Sequence, residues 1–122
     1  MEMRKFLSSV RFAYQGIRYV LCTESNFRIQ LFIFTLVMIS AYSFKIPRLE
    51  FLLILITSAL IFSLELINTA VERLADKVSP EYNEQIGVVK DMMAGAVLVS
   101  SIVAIIVGLV IFSEPLLNLF QR

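Results

Sequence analysis

The sequence predicts an all-α integral membrane protein, an N-terminal amphipathic surface helix followed by three transmembrane helices. Two observations carry this. Apolar residues make up 58% of the 122 and charged residues only 17%. That is more apolar side chain than a domain of this size can hide from water, whereas a bilayer solvates it. The apolar residues also gather into three stretches, each near the roughly 20 residues needed to cross the hydrocarbon layer. Residues 1–122 read as one domain.

Residues 5–22 form the surface helix. Phe6, Val10, Ala13, Tyr14, Ile17 and Leu21 recur at helical spacing, and Lys5, Ser8, Arg11, Gln15 and Arg18 take the remaining positions. Basic groups opposite aromatic and aliphatic ones suit a helix lying in the membrane interface, or one packed on the protein's own spans. The first span covers 27–44 and is ended by Lys45, Ile46, Pro47 and Arg48. The second covers 49–78. A polar loop with Pro80, Asn83 and Gly87 follows from Ser79 to Val89. The third span covers 92–112, with Glu114 and Pro115 closing it. The first 26 residues hold no continuous apolar core, so no cleavable signal peptide is expected.

Composition excludes several functions. A formal charge of +1, with no basic stripe, speaks against nucleic-acid binding. A single cysteine, Cys22, allows no intrachain disulfide. The absence of histidine rules out a phosphohistidine, a His-based dyad and most zinc sites. Neither a Gly-x-x-x-x-Gly-Lys-Ser/Thr loop nor a Gly-x-Gly-x-x-Gly turn is present. Orientation follows from the basic residues. Arg4, Lys5, Arg11, Arg18, Arg28, Arg73, Lys77 and Lys90 fall on one side, and Lys45, Arg48 and Arg122 on the other. The positive-inside rule then puts the N-terminus in the cytoplasm and the C-terminus outside.

The second span carries the chemistry. At about 100° per residue, Glu65, Asn68, Glu72 and Asp76 fall within about 80° of one another and form one polar stripe. Glu65 is the deepest, since Leu66, Ile67, Ala70 and Val71 continue the apolar run beyond it. A carboxylate there must find a partner, a metal or a proton, and a general base for an alcohol needs the same surroundings. Glu24 precedes the first span, and Lys90 and Asp91 precede the third, at the same membrane face. Together these residues offer the oxygen ligands that Mg²⁺ prefers and a cation for phosphate, which phosphoryl transfer requires.

The segment Glu65-Leu-Ile-Asn-Thr-Ala-Val-Glu72-Arg-Leu-Ala-Asp76, with Lys90-Asp91-Met-Met-Ala-Gly-Ala, resembles the small bacterial integral-membrane lipid kinases, the family of diacylglycerol kinase and undecaprenol kinase. Gln15-Gly16-Ile-Arg18 and Glu24-Ser-Asn-Phe-Arg28 extend the likeness over nearly the whole chain. The resemblance implies a homotrimer in the bacterial cytoplasmic membrane, with active sites shared between subunits. It implies ATP as phosphoryl donor, Mg²⁺ as cofactor, and a lipid alcohol, undecaprenol or diacylglycerol, as acceptor. Glu65 then matches the base that activates the lipid hydroxyl, and Asn68 a group supporting the reacting centre. Glu24 and Glu72 match the metal-holding pair and also meet the nucleotide. Lys90 and Asp91 match nucleotide contacts, as do Phe12, Glu81 and Asn83. Lys5, Arg18, Asn26 and Arg28 sit where the family approaches lipid or phosphate. Asn83, Gln30 and Phe12 replace a histidine, a glutamate and a tyrosine of the best-known diacylglycerol kinases, which tilts the expected substrate toward undecaprenol.

Two other classes of function fit the stripe. A small oligomeric transporter or channel would use Glu65 and Asn68 as an intramembrane ion site, with no need of Glu24, Lys90 and Asp91. A non-catalytic adaptor would use the stripe only to fix oligomer packing.

Overall fold

The computed structural model describes residues 1–122 as four helices, α1 (Glu2–Thr23), α2 (Ser25–Ser43), α3 (Arg48–Val78) and α4 (Glu84–Phe120). The last three are long and apolar enough to cross a membrane. Only nine residues are buried within the chain, and large apolar side chains are exposed along every helix. The protein is therefore a multi-pass membrane protein, whose outer surface lipid can solvate.

Most of α1 stands clear of the rest of the chain, and Val20 is its one buried residue. A single extended residue, Glu24 (φ −109°, ψ 111°), joins α1 to α2. Arg28 fastens this joint. Its Nη1 donates to the carbonyls of Leu21 and Cys22, both at 3.0 Å, which satisfies acceptors that the end of α1 leaves open.

The end of α2 is a Schellman turn. Lys45 adopts φ 54°, Ile46 N donates to Ala41 O (3.1 Å) and Lys45 N to Tyr42 O (3.2 Å). This is the hydrogen-bond pattern that glycine usually supports. Ile46 then packs on Ala41, Ile54 and Ile111, the buried cluster at this end of the bundle.

α3 and α4 form the main hairpin. Along α4, Ala96, Ser100, Ala104 and Gly108 recur every fourth residue, with Ser100 buried and the others half-buried. Small side chains at that spacing let two membrane helices approach closely. At about 1.5 Å per residue, α3 is about 46 Å long and α4 about 55 Å, against about 30 Å of hydrocarbon. Both therefore project beyond the bilayer core.

Two boundaries differ from those expected. The polar stretch after α3 is a loop only over 79–83. α4 begins at Glu84, because Asn83 caps it by accepting from Gln85 N (2.9 Å) and Ile86 N (3.3 Å). Hydropathy marks where a chain enters lipid, whereas the cap marks where the helix starts. At the other end, α4 passes through Pro115 to Phe120. Proline deletes one N–H donor, and Leu116, Leu117, Leu119 and Phe120 still gain from internal backbone pairing in an apolar medium.

Candidate active site

The polar stripe of α3 is graded by burial. Glu65 is 4% exposed. Asn68 and Glu72 are half-buried, and Asp76 is exposed. The helix sets this gradient. With Arg48 at one edge of the bilayer, Glu65 stands about 26 Å further along, just inside the opposite edge of a core of about 30 Å. Glu72 lies roughly 10 Å further and clears it.

Glu65 feels the charges of Glu24 and Glu72, and the Gln30 amide lies close enough to act on it, without a hydrogen bond inside 3.5 Å. Glu24 is carried there by the α1–α2 joint. Phe27 and Phe34 hold α2 against α3, with ring centroids 5.3 and 5.6 Å from that of Phe62. Asn68 Oδ1 and Gln30 Oε1 are buried acceptors without a partner.

Two ion pairs lie at the exposed end of the stripe. Arg73 Nη2 donates to Glu24 Oε1 at 2.9 Å, and its guanidinium lies 5.7 Å from the centre of the Tyr19 ring. Lys90 Nζ meets Asp76 Oδ1 at 2.5 Å and also feels Glu72. Both pairs are largely solvent-exposed, and such pairs add about 1 kcal/mol or less to stability. Their effect is positional: the first ties the α1–α2 joint to α3 through Glu24, and the second ties the start of α4 to α3.

The chain contains no group of three or more acidic, histidine or cysteine side chains able to hold a metal alone. Mg²⁺ seldom needs one. It binds through one or two carboxylates and completes its shell with waters and substrate phosphates. Glu24 and Glu72, flanking the same buried residue, supply a donor set of that kind.

Of the residues expected at the site, Glu24, Glu65, Asn68, Glu72 and Lys90 come together. Asp91 is adjacent, exposed and in no ion pair. Lys5, Phe12, Arg18 and Asn26 are exposed on α1 and the start of α2, and make no hydrogen bond or ion pair with the cluster. Arg28 serves the α1 terminus. Glu81 is exposed in the loop, and its carbonyl accepts from Ser79 Oγ at 2.8 Å. Arg73 and Tyr19 were not expected to act at the site, whereas Asp76 was expected as part of the α3 stripe and Gln30 as a position where relatives carry a glutamate. Gln30 was legible as the polar member of the Phe27–Gln30–Phe34 face. The Arg73–Glu24 pair spans 49 positions of sequence and had no local signal.

Asn83 allows a clean separation of roles. Asn83→Ala should remove the α4 cap and about 1 kcal/mol of stability. Asn83→Ser keeps a capping oxygen and loses the amide N–H groups. A rise in the KM for ATP in Asn83→Ser, with unchanged melting temperature, marks a nucleotide contact, and wild-type kinetics mark a cap alone.

A family model described as prokaryotic diacylglycerol kinase matches residues 11–112. The chain is 39% identical over 114 residues to a diacylglycerol kinase of Synechocystis, covering 93% of this chain and 65% of that longer protein. It is 32% identical to the undecaprenol kinase of Bacillus subtilis over 115 residues, covering 94% of each. It is 28% identical to the diacylglycerol kinase of Escherichia coli over 102 residues, covering 84% of each.

Proposed function

The chain belongs to the prokaryotic diacylglycerol kinase family, whose matched relatives are lipid kinases, and we propose that it transfers the γ-phosphoryl group of Mg·ATP to a membrane lipid alcohol, diacylglycerol or undecaprenol, at the cytoplasmic face. One observation carries the mechanism. Glu65 is buried on α3, and Glu72, Asp76 and the Arg73 and Lys90 ion pairs follow it toward the exposed end of that helix, the end that faces the cytosol in this reading. A lipid hydroxyl reaches that depth from the membrane, and nucleotide phosphates reach the charged groups from the cytosol.

Glu65 accepts the proton of the lipid hydroxyl. The hydroxyl oxygen forms its bond to the γ-phosphorus as the bond from that phosphorus to the bridging oxygen breaks. ADP leaves with the electron pair, and the proton on Glu65 passes to water. Direct transfer of this kind needs no covalent enzyme intermediate. Lys90 has three N–H donors, so its bond to Asp76 leaves two for phosphate oxygens. Arg73 keeps Glu24 beside Glu65. Bound between Glu24 and Glu72, Mg²⁺ would offset the negative charge of the phosphates. Asp91, Glu81, Asn83 and Phe12 complete the nucleotide contacts in this reading.

Lys5, Phe12, Arg18 and Asn26 stand apart from the cluster of their own chain, and the apolar faces of all three spans are exposed. Both facts support an assembly in which α1 of one subunit completes a neighbour's site, and the homotrimer itself is what the family resemblance implies. The function is tested by incubating the purified full chain with Mg·ATP and, separately, diacylglycerol and undecaprenol in mixed micelles. Phospholipid product from either supports the reading and identifies the acceptor, and product from neither overturns it.

A further inference from the structure

We propose that the end of the bundle opposite the α3 stripe binds the headgroup of a zwitterionic phospholipid with a primary ammonium, the chemistry of phosphatidylethanolamine. The inference is independent of the kinase reading. The place is a groove of about 590 Å³ bounded by the α2–α3 turn, the start of α3 and the last turns of α4.

Charge selects the ligand. Lys45 and Glu50 line the groove from the turn and α3, and Glu114 and Arg122 line it from α4 and just beyond. None of the four joins an ion pair, and both ion pairs of the chain lie at the other end. Two cations and two anions left unpaired around one space suit a ligand that bears both signs. A phosphodiester meets Lys45 and Arg122, and an ammonium meets Glu50 and Glu114. The carboxylates penalise a purely anionic headgroup. A primary ammonium also offers them three N–H donors, whereas a trimethylammonium offers none.

Depth and shape select a lipid. Lys45, Pro47 and Arg48 separate the α2 and α3 spans, so the groove lies at the level of the headgroups. Its floor includes buried Ile111, and Ile46 packs on the same cluster, an apolar surface for the glycerol and first acyl carbons. The extension of α4 forms a wall. Glu114 and Asn118 stand one turn apart, Arg122 continues their line past the helix end, and Ile111, Pro115 and Leu119 repeat the spacing. Carrying a helix through proline forfeits a backbone hydrogen bond, and here it sets a polar edge and an apolar edge along one groove. The turn carries a cost too. Lys45 holds φ 54°, where glycine would be unstrained. Glycine would keep the turn and lose the ammonium.

Native mass spectrometry tests the proposal. The purified full chain is titrated with phosphatidylethanolamine, phosphatidylcholine and phosphatidylglycerol of identical acyl chains. The first should bind about tenfold tighter than either other, the worth of one hydrogen bond to a charged group. Glu50→Gln with Glu114→Gln should remove the preference over phosphatidylcholine. Lys45→Gln with Arg122→Gln should weaken binding of all three lipids, and unchanged binding there overturns the inference. Equal wild-type affinity for phosphatidylethanolamine and phosphatidylcholine overturns it, as does a preference for phosphatidylglycerol. A preference that survives Glu50→Gln with Glu114→Gln overturns the location. Equal competition by glycerophosphoethanolamine, the same headgroup without tails, overturns the lipid as ligand. If the double variants unfold, Asn118→Trp fills the groove from an exposed position and should abolish the preference, and its persistence overturns the inference.

Discussion

Glu65→Gln should lower kcat by about 10²- to 10⁴-fold, the range for removal of a general base, and leave the fold intact. The substitution keeps the shape of a side chain that is 4% exposed, so no cavity forms. It also removes a buried carboxylate that has no ion-pair partner, so thermal stability should hold or rise. The loss should appear in kcat with little change in the KM for Mg·ATP, because in the proposed mechanism the nucleotide meets the exposed groups beyond Glu65. The readout is transfer of labelled γ-phosphate into lipid, beside a thermal melt in the same detergent. A wild-type rate would overturn the assignment of Glu65 as the base.

Glu72→Gln should act on the metal instead. Glu24 is tied to Arg73, whereas Glu72 makes no hydrogen bond or ion pair of its own, which leaves both its oxygens for a cation. Removing its charge should lower kcat by about 10²- to 10³-fold, as loss of one electrostatic contact to a developing charge commonly does. It should also move the Mg²⁺ dependence to higher concentration, so that excess Mg²⁺ recovers part of the rate. The check is a Mg²⁺ titration of wild type and variant at fixed ATP. Full wild-type activity in EDTA would end the metal assignment.

The sequence displayed the spans and the α3 stripe because each is periodic. Apolar runs of membrane length and the spacing of Glu65, Asn68, Glu72 and Asp76 need no knowledge of tertiary contacts. The ends of α4 were misplaced for a physical reason. Loop residues and the first turns of a helix outside the bilayer have similar polarity, and only the geometry of Asn83 separates them. Lys45 in the left-handed region was equally hidden, since no glycine announces that turn. Within the site, residues on one helix could be grouped in advance. Contacts between helices could not: Arg73 with Glu24 and Gln30 beside Glu65 depend on how α1 and α2 lean on α3, which Phe27, Phe34 and Phe62 decide.

The uninterrupted run of α3 from Arg48 to Val78 makes the surrounding lipid a gauge for the chemistry. With the outer end of the rod anchored at Arg48, the altitude of Glu65 is set by counting turns, and the far leaflet moves past it as acyl chains lengthen or shorten. A sheet thinner by one helical pitch, about 5.4 Å, would lift the carboxylate into the headgroups and hydrate it. A thicker sheet would draw Glu72 toward the oil and away from water. The activity proposed above should therefore vary with the thickness of the host bilayer.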